Sequence, residues 1–389
     1  MGVNLSFNRD LKLLMLSLFL WALGEGLFIF ILPIFMTELG ATPVQIGQII
    51  AIGAITMGVS LIPAGWAADR FGPKSGLVSG WAIGAISGIL FALANSLPVF
   101  MAGWILYRVT AWVLPAISAY ATNARGDLPP ERALSSVYSM FHAGLIVSPV
   151  IGGYIGERYG LHVNFYIATV LFVISTGVVL FLKHQPPHPA EQRTRPAEIL
   201  ARPNFAGFLF LVLAVTTVMY IGYDFAPKFL SEVKEVKLEQ IGLLGTVNAI
   251  GGFTLNQLLG RRPPRRMLML AIGLMFVYAA VLLQASWIGF FMLAYFLRGS
   301  VNSARSLISA LVTRLVRPAQ LGLAFGITET VASAGNAIAP YLAGWLYAAS
   351  PQMPFVVMMS LCPVIIVVVW RFAPRQSAVP QVATTASAD

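Results

Sequence analysis

Twelve runs of predominantly apolar residues follow one another along the chain, at about 11–37, 44–68, 75–95, 98–122, 133–156, 164–182, 205–229, 241–259, 267–285, 288–312, 321–348 and 354–372. Most reach the roughly 20 apolar residues that a helix needs to cross a bilayer. Short polar turns separate them. Because lipid offers backbone groups no hydrogen-bond partners, runs of this length are expected to be helical throughout. The pattern predicts an all-α polytopic membrane protein of twelve transmembrane helices.

One interruption is long. KHQPPHPAEQRTRPAEILARPN, from Lys183 to Asn204, is rich in proline and charge and reads as a cytosolic linker. It divides the chain into an N-terminal six-helix bundle (1–182), the linker (183–204), a C-terminal six-helix bundle (205–372) and a tail (373–389). The tail lacks apolar periodicity and is expected to be disordered. The halves also echo each other. AGLIVSPVIGGYI in the fifth run, with Gly144, Pro149, Gly152 and Gly153, aligns without gaps at an offset of 191 with AGNAIAPYLAGWL in the eleventh. That second stretch holds Gly335, Pro340, Ala343 and Gly344, and Arg108 falls beside Arg298 at an offset of 190. An internal repeat accounts for both, and the halves are therefore expected to be pseudo-symmetric.

Composition agrees with a membrane solvent: the chain of 389 residues is 58% hydrophobic and 10% charged, with mean hydropathy +0.79. Soluble domains carry about 25% charge. The net charge of +10 does not indicate nucleic acid, because the basic residues sit in short loops rather than on one face. With the N-terminus inside, eighteen Lys and Arg fall in inner segments against four in outer loops, which places both termini in the cytosol. The first run is too long for a signal-peptide core and is expected to remain. A multi-pass protein of a bacterial cell (inner) membrane is the expected setting. The single Cys362 makes no internal disulfide, and the histidines at 142, 162, 184 and 188 show neither metal-ligand spacing nor a catalytic cluster. No enzyme, cofactor or metal is expected.

After the second run comes GWAADRFGPK, with Gly65, Asp69, Arg70, Gly72 and Lys74. This resembles the signature loop between helices two and three of the major facilitator superfamily. The resemblance extends over nearly the whole chain through the twelve runs, the linker and the repeat, and it implies two six-helix bundles that carry a small molecule by alternating access. It also implies a gate. Asp69 would meet the N-terminus of a helix from the other half, near Pro318 to Gly322, with Arg70 and Lys74 held by Asp127 or Glu131. A solvated turn of topogenic charges is the plainer reading of the same residues. The corresponding place in the second half has Asn256 and Gln257.

The fifth-run motif, Gly144, Ser148, Pro149, Gly152 and Gly153, resembles the signature of the antiporter branch, with Ser148 where that branch has glycine. Small residues there allow close helix approach. The fourth run keeps the family's arginine as Arg108. Ala111 and Trp112 replace the glutamine and glycine that follow it, which weakens the carry-over of a proton-relay role.

Glu25 is the residue that most needs explaining, since no other charge lies between Leu13 and Met36. Counted at about 1.5 Å per residue, Glu25 and Arg108 fall at the same depth, so each is the other's expected partner. Trp21, Glu25 and Phe28 share one helix face, as do Trp104, Arg108 and Trp112. Aromatic walls around an acid suit an amphiphilic or cationic molecule, although aromatics by themselves also serve plain packing. In the second half Arg298, Asn302 and Arg305 form a polar stripe. Arg298 is expected to line the cavity, and Arg305 to form a structural ion pair with Glu329. Asp224, four residues before Lys228, reads as an interfacial pair or outer-gate charge. His142, one turn after Tyr138, is either a proton relay or a satisfied packing histidine.

These residues lead to an expected function: proton-coupled efflux of small amphiphilic or drug-like molecules by a monomer whose partners are substrate, protons and the lipid bilayer. A transporter of an anionic metabolite or sugar is the alternative, because arginines outnumber acids within the spans. A non-transporting receptor or membrane enzyme is the alternative of another class.

Overall fold

The computed structural model describes residues 7–186, 203–316 and 320–374, and the backbone alone of 62–69, 71, 203 and 322. Among the described residues every regular element is helical, in twelve spans. In chain order these are Arg9–Phe28 with Leu32–Glu38, Pro43–Phe71, Pro73–Ala92, Leu97–Val109 with Val113–Asn123, Pro130–Tyr159 and Leu161–Leu180. The second half follows as Pro203–Tyr220 with Ala226–Glu232, Leu238–Leu259, Pro264–Gln284, Ile288–Arg298 with Ser300–Val312, Leu321–Ala349 and Met353–Phe372. The loops of one end, with Arg9, lie on what is here called the terminal face; the loops of the other end make the far face.

Four spans are interrupted where unbroken helices were expected: the first, fourth, seventh and tenth. Proline explains three. It has no N–H and its ring meets the carbonyl four residues back, so the first span breaks ahead of Pro33 and the seventh ahead of Pro227. In the fourth, Pro115 follows a single 3-10 turn, Thr110–Trp112. The tenth breaks at Gly299, where backbone meets backbone: a Cβ there would lie 2.2 Å from the nitrogen of Gly252. The breaks in spans one and seven, and in four and ten, occupy corresponding places, so the repeat extends from sequence into backbone shape.

Each half is a bundle around its own core. In the N-terminal half the first span packs on the fifth and sixth, and the third on the fourth and sixth; in the C-terminal half the seventh packs on the eleventh and twelfth, and the ninth on the tenth and twelfth. The halves meet through the second span against the eleventh and the fifth against the eighth. Glycines permit both contacts toward the far face. A Cβ on Gly47 would stand 2.3 Å from the Pro340 carbonyl, and one on Gly242 the same distance from that of Pro149. Ser148 does not disturb its motif. Its hydroxyl donates to Gly144 O at 2.8 Å and Ala22 O at 3.3 Å, against the bare surface of Gly26.

At the terminal face Lys74 donates to Leu180 O at 3.2 Å, and Asp127 and Glu131 are exposed to solvent. The expected pairing of Lys74 with either acid therefore gives way to a helix-end carbonyl within reach of its ammonium. The surroundings of Gly65, the Asp69 side chain and the segment at Pro318 lie outside what is described, as do most of the linker and the tail.

Candidate substrate and proton site

Within the N-terminal half lies a cavity of about 330 Å³ whose walls are largely apolar and whose ionisable lining residues are Glu25, Arg108, Tyr107, Tyr138 and His142. Met57 joins it to a smaller chamber of about 40 Å³ in the C-terminal half, lined by Thr216, Tyr220, Arg305, Glu329 and Asn336.

Glu25 stands one turn before the break in the first span, half-buried on the cavity wall. Tyr107 lines the same wall and interacts electrostatically with Glu25. Trp21 stacks on Tyr107 and on Phe172, with centroids 6.2 Å and 4.5 Å away. The stack fits because residue 84 is glycine: a Cβ there would fall 1.9 Å from the Trp21 ring.

Arg108 shares this cavity and lies within the electrostatic field of Glu25, but makes no direct ion pair with it. Its Nε donates to Gly53 O at 3.3 Å and a terminal nitrogen to the Met57 sulfur at 2.9 Å, with the guanidinium 5.4 Å from the centre of the Trp104 ring. The expected acid–base pair is thus replaced by a cation held by a carbonyl, a thioether and an indole. Trp104 is buried behind the wall, its indole nitrogen donating to Ile49 O at 3.1 Å.

Two aromatics of the expected faces turn elsewhere. Phe28 is fully buried against Phe91, Phe165 and Phe172, within the core of the N-terminal bundle. Trp112, just before the fourth span resumes, donates to Gly76 O at 3.3 Å and faces the third span. Tyr138 and His142 do line the cavity. The imidazole Nδ1 sits 2.7 Å from Tyr138 O, while the Tyr138 and Ser118 hydroxyls meet at 3.2 Å.

The C-terminal half departs further from expectation. Arg298 is 2% exposed, donates to Tyr223 O at 3.0 Å and lies 3.6 Å from the centre of the Tyr223 ring, so it is sealed by tyrosines rather than lining the cavity. Asp224, between the two parts of the seventh span, lies within the electrostatic field of Arg298 and Arg108. It is not the partner of Lys228, which pairs with Glu232. Asn302 is exposed on the tenth span beside Gly252, where a Cβ would stand 2.5 Å from its amide nitrogen. Arg305 and Glu329 meet in a two-point ion pair, with contacts of 2.6 and 3.2 Å, and the Arg305 side chain is 59% exposed.

Toward the far face the halves are tied together. Lys228, 3% exposed, donates to Thr37 at 2.6 Å across the interface and pairs with Glu232, which accepts from Tyr347 at 2.9 Å. Glu157 on the fifth span accepts from the Leu238 N–H at 2.8 Å, at the start of the eighth. The far face is closed. Nearer the terminal face, His142, Asn302 and Arg305 are exposed on the facing helices, so the cavity opens that way.

The residues that the helix periodicity missed are Tyr107, Met57, Tyr223 and the central position of Asp224. A signal existed for Tyr107, which follows Trp104 by three residues and so borders the same face. Met57 carries no such signal.

Comparison with known proteins accords with this architecture. The Major Facilitator Superfamily pattern matches residues 14–304 and 261–387. Multidrug resistance protein 2 of Bacillus subtilis is 22% identical over 375 residues, covering 91% of this chain and 93% of its own. Quinolone resistance protein NorA of Staphylococcus aureus is also 22% identical, over 93% of this chain and 96% of its own. Among solved structures, the nucleoside transporter NupG superposes with a TM-score of 0.79 at 16% identity, over 94% of this chain and 98% of that one.

Proposed function

The chain belongs to the major facilitator superfamily of transporters, and from that premise we propose that it exports small amphiphilic, drug-like molecules across a bacterial cell membrane in exchange for protons. One observation carries the reading: a carboxylate, Glu25, stands half-buried on the wall of an aromatic-lined cavity in the N-terminal bundle, which is tied to the C-terminal bundle at the far face. The resistance proteins among the relatives support it.

Glu25 stands between an apolar wall and the positive charge of Arg108, which act on its proton in opposite senses. A group balanced between these effects exchanges its proton with whichever side the cavity faces. A cationic or polarised amphiphile settles against the rings beside the carboxylate and competes with the proton for it. Substrate then enters from the terminal face, taken as cytosolic from the loop charges. The halves rock about their two interfaces, the far face opens, and protonation of Glu25 releases the substrate. The protein works as a monomer, because each chain holds a complete pathway.

A second reading has its own observation. Arg108 touches a carbonyl and a sulfur but no acid, so its charge is left for a ligand. That favours a proton-coupled carrier of an anionic metabolite.

Transport in proteoliposomes under an imposed proton gradient separates the two, with matched lipophilic cations and organic anions as substrates. The expected result is uphill movement of cations by the wild type. Glu25→Gln should lose the driven component and keep substrate exchange. Uphill movement of anions alone, or unaltered coupling in Glu25→Gln, overturns the first reading.

A further inference from the structure

The charge of the C-terminal half is one-sided in a way that transport does not use. From Gln240 to Ala388 the chain contains a single acid, Glu329, and that acid is engaged by Arg305 in the cavity. At the terminal face the eighth and ninth spans are joined through GRRPPRR, where Arg261, Arg262 and Arg266 are exposed. Arg265 reaches across to the carbonyl of Trp370 on the twelfth span, which packs along the ninth, and the adjoining Arg371 is exposed as well.

The same corner is apolar immediately beyond the arginines. Trp370 is 57% exposed and Val367 61%, and Val364 is exposed one turn further along the twelfth span. On the ninth span Leu270 is exposed one turn beyond Arg266. A tryptophan at this level marks the membrane interface. The positive-inside rule accounts for basic residues on this face, but not for their lack of nearby acids; the exposed apolar residues that continue from them face the bilayer, as on the other spans. Charge above and hydrocarbon surface below match one class of molecule.

We propose that the corner between the ninth and twelfth spans is a binding site for an anionic phospholipid. Arg262, Arg266 and Arg371 hold its phosphate, while an acyl chain lies along Leu270, Val364 and Val367. Arginine suits the headgroup because its planar fork donates to phosphate oxygens in pairs. Basic pockets between spans on a cytoplasmic face are suited to such headgroups, each basic residue adding about five-fold in affinity.

The test is native mass spectrometry of the full chain in detergent. It is titrated with cardiolipin or phosphatidylglycerol, with phosphatidylcholine as the zwitterionic reference and inorganic phosphate as competitor. Wild type is expected to retain the anionic lipids in preference to phosphatidylcholine, and inorganic phosphate is expected not to displace them. Arg262→Gln/Arg266→Gln/Arg371→Gln should weaken retention on the order of a hundred-fold, while Arg9→Gln/Arg132→Gln on the other bundle should leave it unchanged. Val367→Trp fills the seam without touching charge and should also weaken retention. If the triple variant does not fold, Arg262→Gln and Arg371→Gln singly should each cost about five-fold. Equal retention by wild type and the arginine variants overturns the site. Displacement by inorganic phosphate, with Val367→Trp unaffected, overturns the lipid and leaves a simple anion patch.

Discussion

Tyr107 links the acid of the first span to the stacked rings around it, so its hydroxyl can be tested separately from its ring. Tyr107→Phe keeps the stacking on Trp21 and removes the hydroxyl that shares the cavity wall with Glu25. Loss of a polar group beside the acid is expected to lower gradient-driven transport by roughly five-fold, the equivalent of about 1 kcal/mol. Ligand binding, followed by quenching of tryptophan emission, should stay near wild type. Gly84→Ala tests the packing itself. Its new Cβ would collide with Trp21, and overpacking of this kind costs about 1–3 kcal/mol, seen as a lower thermal midpoint. At this scale the sequence was informative but incomplete. Glu25 announced itself as a lone charge in an apolar run, whereas its partner was misassigned because depth along two helices says nothing about rotation around them. Tyr107 and Arg108 are adjacent residues, and the rotation of the fourth span alone decides which of them meets the acid.

Among the elements, the four broken spans and the two glycine-lined contacts between halves determine how the bundles move. Prolines at 33, 115 and 227 stand in the sequence, but the apolar runs continue through them and conceal the interruptions. The glycines of the far-face contacts lead to a prediction. Gly242→Ala places a methyl group 2.3 Å from the Pro149 carbonyl, and backbone on a packed helix has little room to yield. The closed far face should therefore be disfavoured. Distances between spin labels on the fifth and eighth spans are expected to shift toward a longer, far-face-open population. An unchanged distribution would show that the contact is not part of the hinge. The background is favourable, since the single cysteine, Cys362, is buried.

Across the whole molecule, the observed state is held by a few polar ties at one end. Lys228→Met removes the donor to Thr37 and leaves Glu232 with Tyr347 alone. The pair with Glu232 lies within one helix, whereas the bond to Thr37 crosses the halves; a hydrogen bond from a charged donor contributes about 1.5–3 kcal/mol, and only the closed far face loses it. The variant should thus favour the far-face-open state, read as faster labelling of a cysteine introduced at Thr246, which lies inside the fifth–eighth contact. Slower or unchanged labelling would remove Lys228 from the gate. What the sequence by itself determined is the environment and the division of the chain: apolar runs of bilayer length require helices, basic loops indicate their orientation, and a proline-rich connection separates two related halves. Those properties are local, because each span meets lipid before it meets another span. Only the tertiary structure decided that Phe28 belongs to the core, that Arg298 is sealed among tyrosines beside Asp224, and that the far face is closed. Each of these depends on helix rotation and on contacts between distant segments, and such contacts differ by only a few kcal/mol between the alternatives that one hydrophobic pattern allows.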